Sequence, residues 1–157
     1  MVRTIGIFTL KFMTIIGSDD MKTYKDIVKT QTQLEIEGFH VENNMVTSID
    51  LNVMGHFGNI TCLEMFFTNC ALFSGFNIGG LLPDVLKAIV EVLEIENEDG
   101  LRISKIKNIP CRIVTTGEGF GKVVGFGHFM KQRFVLADDL IEMARENMEE
   151  RYAKGVK

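Results

Sequence analysis

Residues 121–140 read GKVVGFGHFMKQRFVLADDL, and this stretch decides the fold class. Residues 123–129 alternate in the manner of a β-strand. Residues 130–132 are a turn, residues 133–136 a second short strand, and a helix follows directly. The stretch therefore predicts a β-hairpin that leads into a C-terminal helix.

Alternation assigns the first strand of this hairpin to two faces, Lys122, Val124, Phe126 and His128 on one and Val123, Gly125, Gly127 and Phe129 on the other. A glycine inside a strand marks a bulge, a bend or the close approach of another backbone or a ligand. We therefore expect such a feature at Gly125 and Gly127.

The C-terminal helix is predicted to span residues 139–154, with Ala137-Asp138-Asp139 at its start. Asp139 and Glu142 have capping-box spacing, and Glu150 precedes Lys154 by four residues, which favours an ion pair. The apolar spacing predicts an inward face of Leu140, Ile141, Ala144, Met148 and Tyr152.

Composition places the chain among globular proteins. It has 157 residues, 46% of them hydrophobic, which is enough to form a core without a metal or a disulfide. The net charge of −4 gives no overall attraction to nucleic acid or an anionic membrane. Cys62, Cys70 and Cys111 lack metal or redox spacing, so we interpret them as reduced core residues of a cytosolic protein.

The first twenty residues are treated apart from the predicted domain, residues 21–157. Residues 2–16 are largely apolar, but Lys11 interrupts them, no cleavage site follows, and they are too short to span a bilayer. Two interpretations stay open: an added pair of strands, or an over-extended reading frame whose true initiator is Met21 or Met13.

Further strands are predicted along the chain. Residues 30–37 alternate and, with a loop at 38–44 that closes on Asn43 and Asn44, suggest the first hairpin of a meander. Residues 45–53 form the clearest strand, with Met45, Thr47, Ile49, Leu51 and Val53 inward and Val46, Ser48, Asp50 and Asn52 outward. Residues 60–67, 70–76 and 111–116 complete the set.

The main helix is predicted at residues 82–96. Its aliphatic residues recur every three or four positions, and Pro83 suits the first turn; the inward set is Leu82, Val85, Leu86, Ile89, Val92 and Leu93. We therefore predict a single α+β domain, without an internal repeat: an antiparallel sheet, mostly meander, packed on one face by this helix, with a second helix at the C-terminus.

One polar cluster is a candidate site. His128, Lys131 and Arg133, joined by Lys122, Arg112 and Glu118, have the chemistry to bind a phosphate or carboxylate beside backbone exposed at the two glycines. The alternative is a histidine at the edge of the core whose ring is hydrogen-bonded to backbone. Both interpretations stay open at this point.

Other sites are disfavoured. GEGFG at 117–121 joins strand to strand, so it is expected to be a hairpin loop and not a nucleotide-binding loop. Asp84 opposes an anion at the Gly79-Gly80 entry to the main helix. The histidines match no metal spacing, the cysteines and Ser74 no nucleophile motif, and no cofactor is expected.

Four segments resemble a large group of small phage and prophage proteins: Glu42-Asn43-Asn44-Met45, Ser74-Gly75-Phe76, Cys111-Arg112-Ile113-Val114, and Val124-Gly125-Phe126-Gly127-His128 with Arg133-Phe134. The last is similar to a closing pattern of the type Ile-Gly-His…Trp-Phe. At Asn43 and Asn44 the chain lacks the acid and histidine of that group. The resemblance implies a mobile-element origin and action in the cytoplasm of a host cell.

We predict a non-enzymatic binding protein that acts on a host protein or a small anionic ligand. The resemblance implies counter-defence as its role, either by inhibiting a host defence protein or by sequestering a small anionic or nucleotide signal. One alternative is a nucleic-acid accessory protein that uses Lys22, Lys25 and Lys29, or Lys131 and Arg133 with Phe126, Phe129 and Phe134. The other is a small hydrolase centred on His128. A homo-oligomer is expected because sheet edges tend to be covered, and no membrane association is expected.

Overall fold

The computed structural model describes residues 21–54, 60–73, 79–95, 106–117 and 121–153. Six strands form one antiparallel sheet in the order β3-β2-β1-β4-β5-β6. The strands are β1 (His40–Met54), β2 (Ile60–Phe67), β3 (Cys70–Phe73), β4 (Ile109–Thr115), β5 (Val123–His128) and β6 (Phe134–Leu136), and the helices are α1 (Gln31–Ile36), α2 (Leu82–Leu93) and α3 (Ala137–Ala153). The predicted α+β class is confirmed, as are the main helix and the C-terminal helix.

The element order repeats. Strands β1, β2 and β3 form a meander followed by α2, and strands β4, β5 and β6 form a second meander followed by α3. The two meanders join where β1 pairs with β4. This topological repetition has no counterpart in the sequence, in which we found no internal repeat.

Strand β1 is shared between the two meanders. Its first half pairs with β4 and its second half with β2, and Val46 is the one residue that pairs with both, opposite Ile109 and Phe67. The register shifts between Val46 and Ser48. Strands β3 and β5 approach within 8 Å between Cα atoms although three strands separate them, so the sheet is strongly curled.

The register shift in β1 overturns part of the predicted face assignment. Val46, predicted to face outward, is fully buried in the main core together with Ile49 and Leu51. A β-bulge adds one residue to one strand, so the alternation of faces changes parity across it.

A second register shift, between Val114 and Thr115, has the same effect on β5. Val123 and Phe126, predicted on opposite faces, both lie in the main core, while Val124 packs on the other side of the sheet. The predicted assignment of β5 residues to the two faces of the sheet was therefore wrong for the part of the strand before the shift. It was correct for the part after the shift.

The main core lies between one face of the sheet and helices α2 and α3. All six predicted aliphatic residues of α2 are buried, and Ala88 and Val90 are buried as well. Pro83 lies in the first turn, where its missing N–H leaves no helix hydrogen bond unmade.

The opposite face carries a smaller cluster covered by α1. Leu34, Val114 and Phe134 are fully buried there. Residues 30–37 were predicted as a strand, but they form this helix because Thr30 and Gln33 make a capping box, with each side chain accepting from the other residue's N–H. The predicted loop at 38–44 is likewise wrong, since β1 begins at His40.

The predicted capping box of the C-terminal helix is wrong. Strand β6 leads directly into α3 at Ala137, so Asp139 lies inside the first turn, where its charge suits the helix dipole. Leu140, Ile141, Ala144 and Met148 face the core as predicted. Tyr152 instead is 67% exposed, and Lys154 lies outside the described residues.

Asn147 of α3 is buried, although the apolar pattern did not place it on the inward face of the helix. Its buried side chain accepts a hydrogen bond from the main-chain N–H of Lys22 at 2.8 Å and donates one to the carbonyl of Lys22 at 2.9 Å. At Lys29 the chain bridges to Phe134 of the edge strand β6. The segment before α1 is therefore held at both ends.

The two glycines of β5 make room for β6. A Cβ at Gly127 would lie 2.6 Å from the carbonyl oxygen of Arg133 and would overlap the ring of Phe134, and one at Gly125 would overlap the carbonyl of Val135. The expected close approach is confirmed, and the neighbouring strand makes it.

We expect Gly127→Ala to lower the free energy of unfolding by about 1–3 kcal/mol, because the added methyl collides with backbone and a buried ring. Urea denaturation monitored by circular dichroism measures the change. Gly117→Ala is the matched control, because a Cβ there meets nothing within 4 Å. Equal stability of the two variants would contradict the role assigned to Gly127.

Candidate functional site

Three predicted residues come together at the turn between β5 and β6. We call His128, Lys131 and Arg133 the basic cluster. The three side chains converge on one oxygen, Oε2 of Glu94: His128 Nε2 at 3.4 Å, Lys131 Nζ at 2.5 Å and Arg133 Nη1 at 3.1 Å. Three of the predicted site residues therefore lie together, and a carboxylate of the same chain lies between them.

His128 has two different roles at its two ring nitrogens. Its Nδ1 accepts hydrogen bonds from the main-chain N–H groups of Met130 and Lys131, both at 3.0 Å. A nitrogen that accepts carries no proton, so the hydrogen-bond network assigns the ring proton to Nε2, on the side of Glu94. The alternative of a histidine hydrogen-bonded to backbone is therefore confirmed, and anion binding through Nε2 stays a prediction.

Burial lowers the pKa of His128 from its ordinary value, and the positive charges of Arg133 and Lys131 lower it further. The carboxylate of Glu94 acts in the opposite direction. A neutral ring suits Nδ1, which must keep its lone pair to hold the turn.

Arg133 joins the turn to the end of α2. Besides contacting the carboxylate, its Nη1 donates to the main-chain carbonyl of Glu91 at 3.0 Å, and its guanidinium lies 5.6 Å from the ring centroid of Tyr24. Cations at a helix C-terminus are favoured by the helix dipole and by the unpaired carbonyls. Arg133 is thus fixed in place by partners other than Glu94.

Glu94 is the site residue that the sequence interpretation missed. It is the C-cap of α2, with a left-handed backbone (φ 55°, ψ 48°). Glycine is the usual residue in that conformation at a helix end. The hydrogen bond and charge of Lys131 lower the pKa of the Glu94 carboxyl.

Arg112 belongs to the other side of the sheet. It donates to the main-chain carbonyls of His128 at 2.9 Å and Lys131 at 2.6 Å and to Gln31 Oε1 at 2.9 Å, and it lies 4.5 Å from the ring centroid of Phe134. It does not reach Glu94. Arg112 therefore supports the turn from behind and is not a ligand group of the cluster.

Lys122 is not part of the cluster. It precedes β5, at the opposite end of the strand from His128, and its main chain pairs with Thr116. A strand of this length separates the two ends by roughly 15–20 Å. Glu118, the acidic partner proposed with it, lies outside the described residues.

The strand-to-strand context predicted for GEGFG is confirmed, because β4 and β5 pair antiparallel on either side of it. At the entry to α2, Asp84 makes a bidentate ion pair with Arg151 of α3, at 2.9 Å for both contacts. Asp84 is therefore occupied by a specific partner beside the helix N-terminus.

A polar cleft of about 660 Å³ lies away from the cluster, where β2 ends and the first half of β1 pairs with β4. Asn44 closes one end by bonding both main-chain groups of Thr68. Burial raises the pKa of Cys70, which lines the cleft, and raises the pKa of the buried Cys111 to about 12, so both remain protonated thiols.

Comparison with known proteins finds no matching family model, no similar curated protein and no similar solved structure. The phage origin therefore stays a prediction that rests on the sequence resemblance. Among the described residues, no helix is long and apolar enough to cross a membrane, and no group of three or more potential metal-ligating side chains is found.

Because the pKa of His128 is shifted in the folded protein, we predict that the free energy of unfolding depends on pH. Its pKa in the folded state lies below the ordinary 6.5, so between these values the unfolded chain binds more protons and stability rises with pH. The contribution of His128 to the free energy of unfolding is fully present above pH 6.5. It is lost as the pH falls toward the pKa that His128 has in the folded protein. Urea denaturation at pH 7.5, 6.5 and 5.5 measures it.

His128→Asn is the matched variant, because an asparagine carbonyl accepts from nearby main-chain N–H groups in a turn and does not titrate. We expect it to fold and to lose the stability change in this pH window. His128→Ala lacks the acceptor and should be less stable than His128→Asn at pH 7.5. An unchanged pH profile in His128→Asn would rule out His128 as the titrating group.

Proposed function

We propose that the protein is a non-enzymatic binding protein whose basic cluster recognises an anionic group on a host protein or a small ligand. One observation carries the proposal: three basic side chains from a tight turn and an adjoining strand lie within 3.4 Å of a single carboxylate oxygen, and Lys131 donates a hydrogen bond to it. Two of the donors are cationic, and hydrogen bonds to ionised groups are the stronger kind.

The donors are held in place by other contacts. His128 is fixed through Nδ1, Arg133 through the carbonyl of Glu91, and the turn that carries Lys131 through Arg112. Groups that are already ordered lose little conformational entropy when a ligand binds. This preorganisation supports a binding role for the cluster.

The contacts of His128 favour binding over hydrolysis. A general base needs a nitrogen that can accept a proton from water or a nucleophile. Nδ1 is already bonded to two N–H groups, and Nε2 carries the proton and faces Glu94. Catalysis by His128 would require the turn to rearrange.

The nucleic-acid alternative receives less support. Lys22 and Lys29 pair with Glu146 and Glu37. Phe126 and Phe134 are fully buried, which leaves Phe129, 39% exposed, as the aromatic ring of that set open to a base. Stacking of successive bases needs several exposed rings.

The cluster's chemistry is tested directly by titration of the protein with inorganic phosphate, followed by NMR at the amide signals of Met130 and Lys131. We expect Lys131→Gln to weaken binding about tenfold or more, the loss of one charge-assisted hydrogen bond. Lys122→Gln, an exposed lysine outside the cluster, is the control and should bind as the wild type does. Equal binding by both variants would place the anion elsewhere.

The biological role we propose is counter-defence by a phage or prophage protein in the host cytoplasm, acting as a homo-oligomer. We expect expression in a bacterial strain with active defence systems to restore plating of a sensitive phage, and Lys131→Gln to reduce the effect while Lys122→Gln retains it. Native mass spectrometry reports the subunit number. Unchanged plating across a panel of defence systems would rule out this role.

A further inference from the structure

The geometry around Glu94 suits a ligand with more acceptor oxygens than a carboxylate supplies there. All three side chains make their closest contact with the same oxygen, Oε2. A phosphate group has three terminal oxygens and a charge of about −1.5 to −2 at neutral pH. It gives each donor of the basic cluster an oxygen of its own.

The backbone of Glu94 adds a second observation. A left-handed conformation is unfavourable for a residue with a side chain and suits glycine. Glu94 adopts it at φ 55°, and its carboxylate is held by contacts with the turn residues 128–133. A residue that departs in this way from the usual backbone preference is expected where its side chain has a functional role.

We propose that Glu94 is a built-in competitor for the anion site, and that the ligand able to replace it is the phosphate group of a small molecule. The inference rests on the proposed function and specifies the ligand class and regulation of the same site. Glu94 occupies the cluster in the free protein and leaves it when phosphate binds.

Competition by Glu94, which is tethered to the site, determines whether the site selects phosphate or a free carboxylate. A group attached to the same chain acts at an effective concentration that reaches the millimolar range for short connections. A free carboxylate offers the same chemistry as Glu94 and must exceed that concentration. Phosphate brings a larger charge and further acceptor oxygens, so it displaces Glu94 at lower concentration.

The site can open without unfolding the helix. The Glu94 side chain is 42% exposed, so rotation of its side-chain bonds moves the carboxylate into solvent. The contacts that hold the donors do not depend on it: Nδ1 of His128 bonds the turn and Arg133 bonds the carbonyl of Glu91. The basic cluster therefore remains assembled after Glu94 leaves.

Isothermal titration calorimetry of the full chain with inorganic phosphate and, separately, with acetate tests the inference. We expect Glu94→Gln to bind phosphate at least about tenfold more tightly than the wild type, since removal of the competitor releases the site. Glu91→Gln removes the same charge one turn earlier on α2 and should bind as the wild type does. Acetate should bind more weakly than phosphate to every variant.

Glu94→Gly is the second variant, because glycine keeps the left-handed cap and guards against a folding defect in Glu94→Gln. Wild-type binding equal to that of both Glu94 variants would overturn the competitor role and leave anion recognition standing. A similar gain in Glu91→Gln would assign the effect to net charge and also overturn it. Absence of phosphate and acetate binding in all variants would overturn both the inference and the proposed function.

Discussion

The packing of α2 across the sheet is the interaction on which the rest of the structure depends. Eight of its residues are buried against strands from both meanders, which fixes the helix in position and direction. The helix ends at Leu93, so the next residue emerges directly above the turn between β5 and β6. The length of α2 and the register of the sheet therefore together determine where the site forms.

The turn itself is held from both faces of the sheet. On the helix side, His128 and Arg133 bind main-chain groups of the turn and of α2. On the opposite side, Arg112 binds two carbonyls of the same turn while it stacks on Phe134. A short turn is usually among the more mobile parts of a protein, and these contacts restrict this one enough to align its donors.

Sequence patterns predicted what depends on local periodicity. The buried face of α2, strand β2 and the hairpin before α3 followed from apolar spacing, and the close approach at Gly127 followed from the glycines. Face assignments failed at Val46 and Val123 because a bulge changes the parity of a strand and leaves no mark in the alternation itself. Glu94 was missed because its partners lie far along the chain, and local spacing carries no information on such pairs.

The division of β1 between two meanders has a consequence for synthesis on the ribosome. His40 and Thr115 are neighbours in the sheet, so the first half of β1 must wait for β4 to be made before it acquires its partner. Pairing between such distant residues slows folding, and an open strand edge invites contact with other chains. The nascent chain therefore presents this edge to chaperones while residues 47–115 are being synthesised.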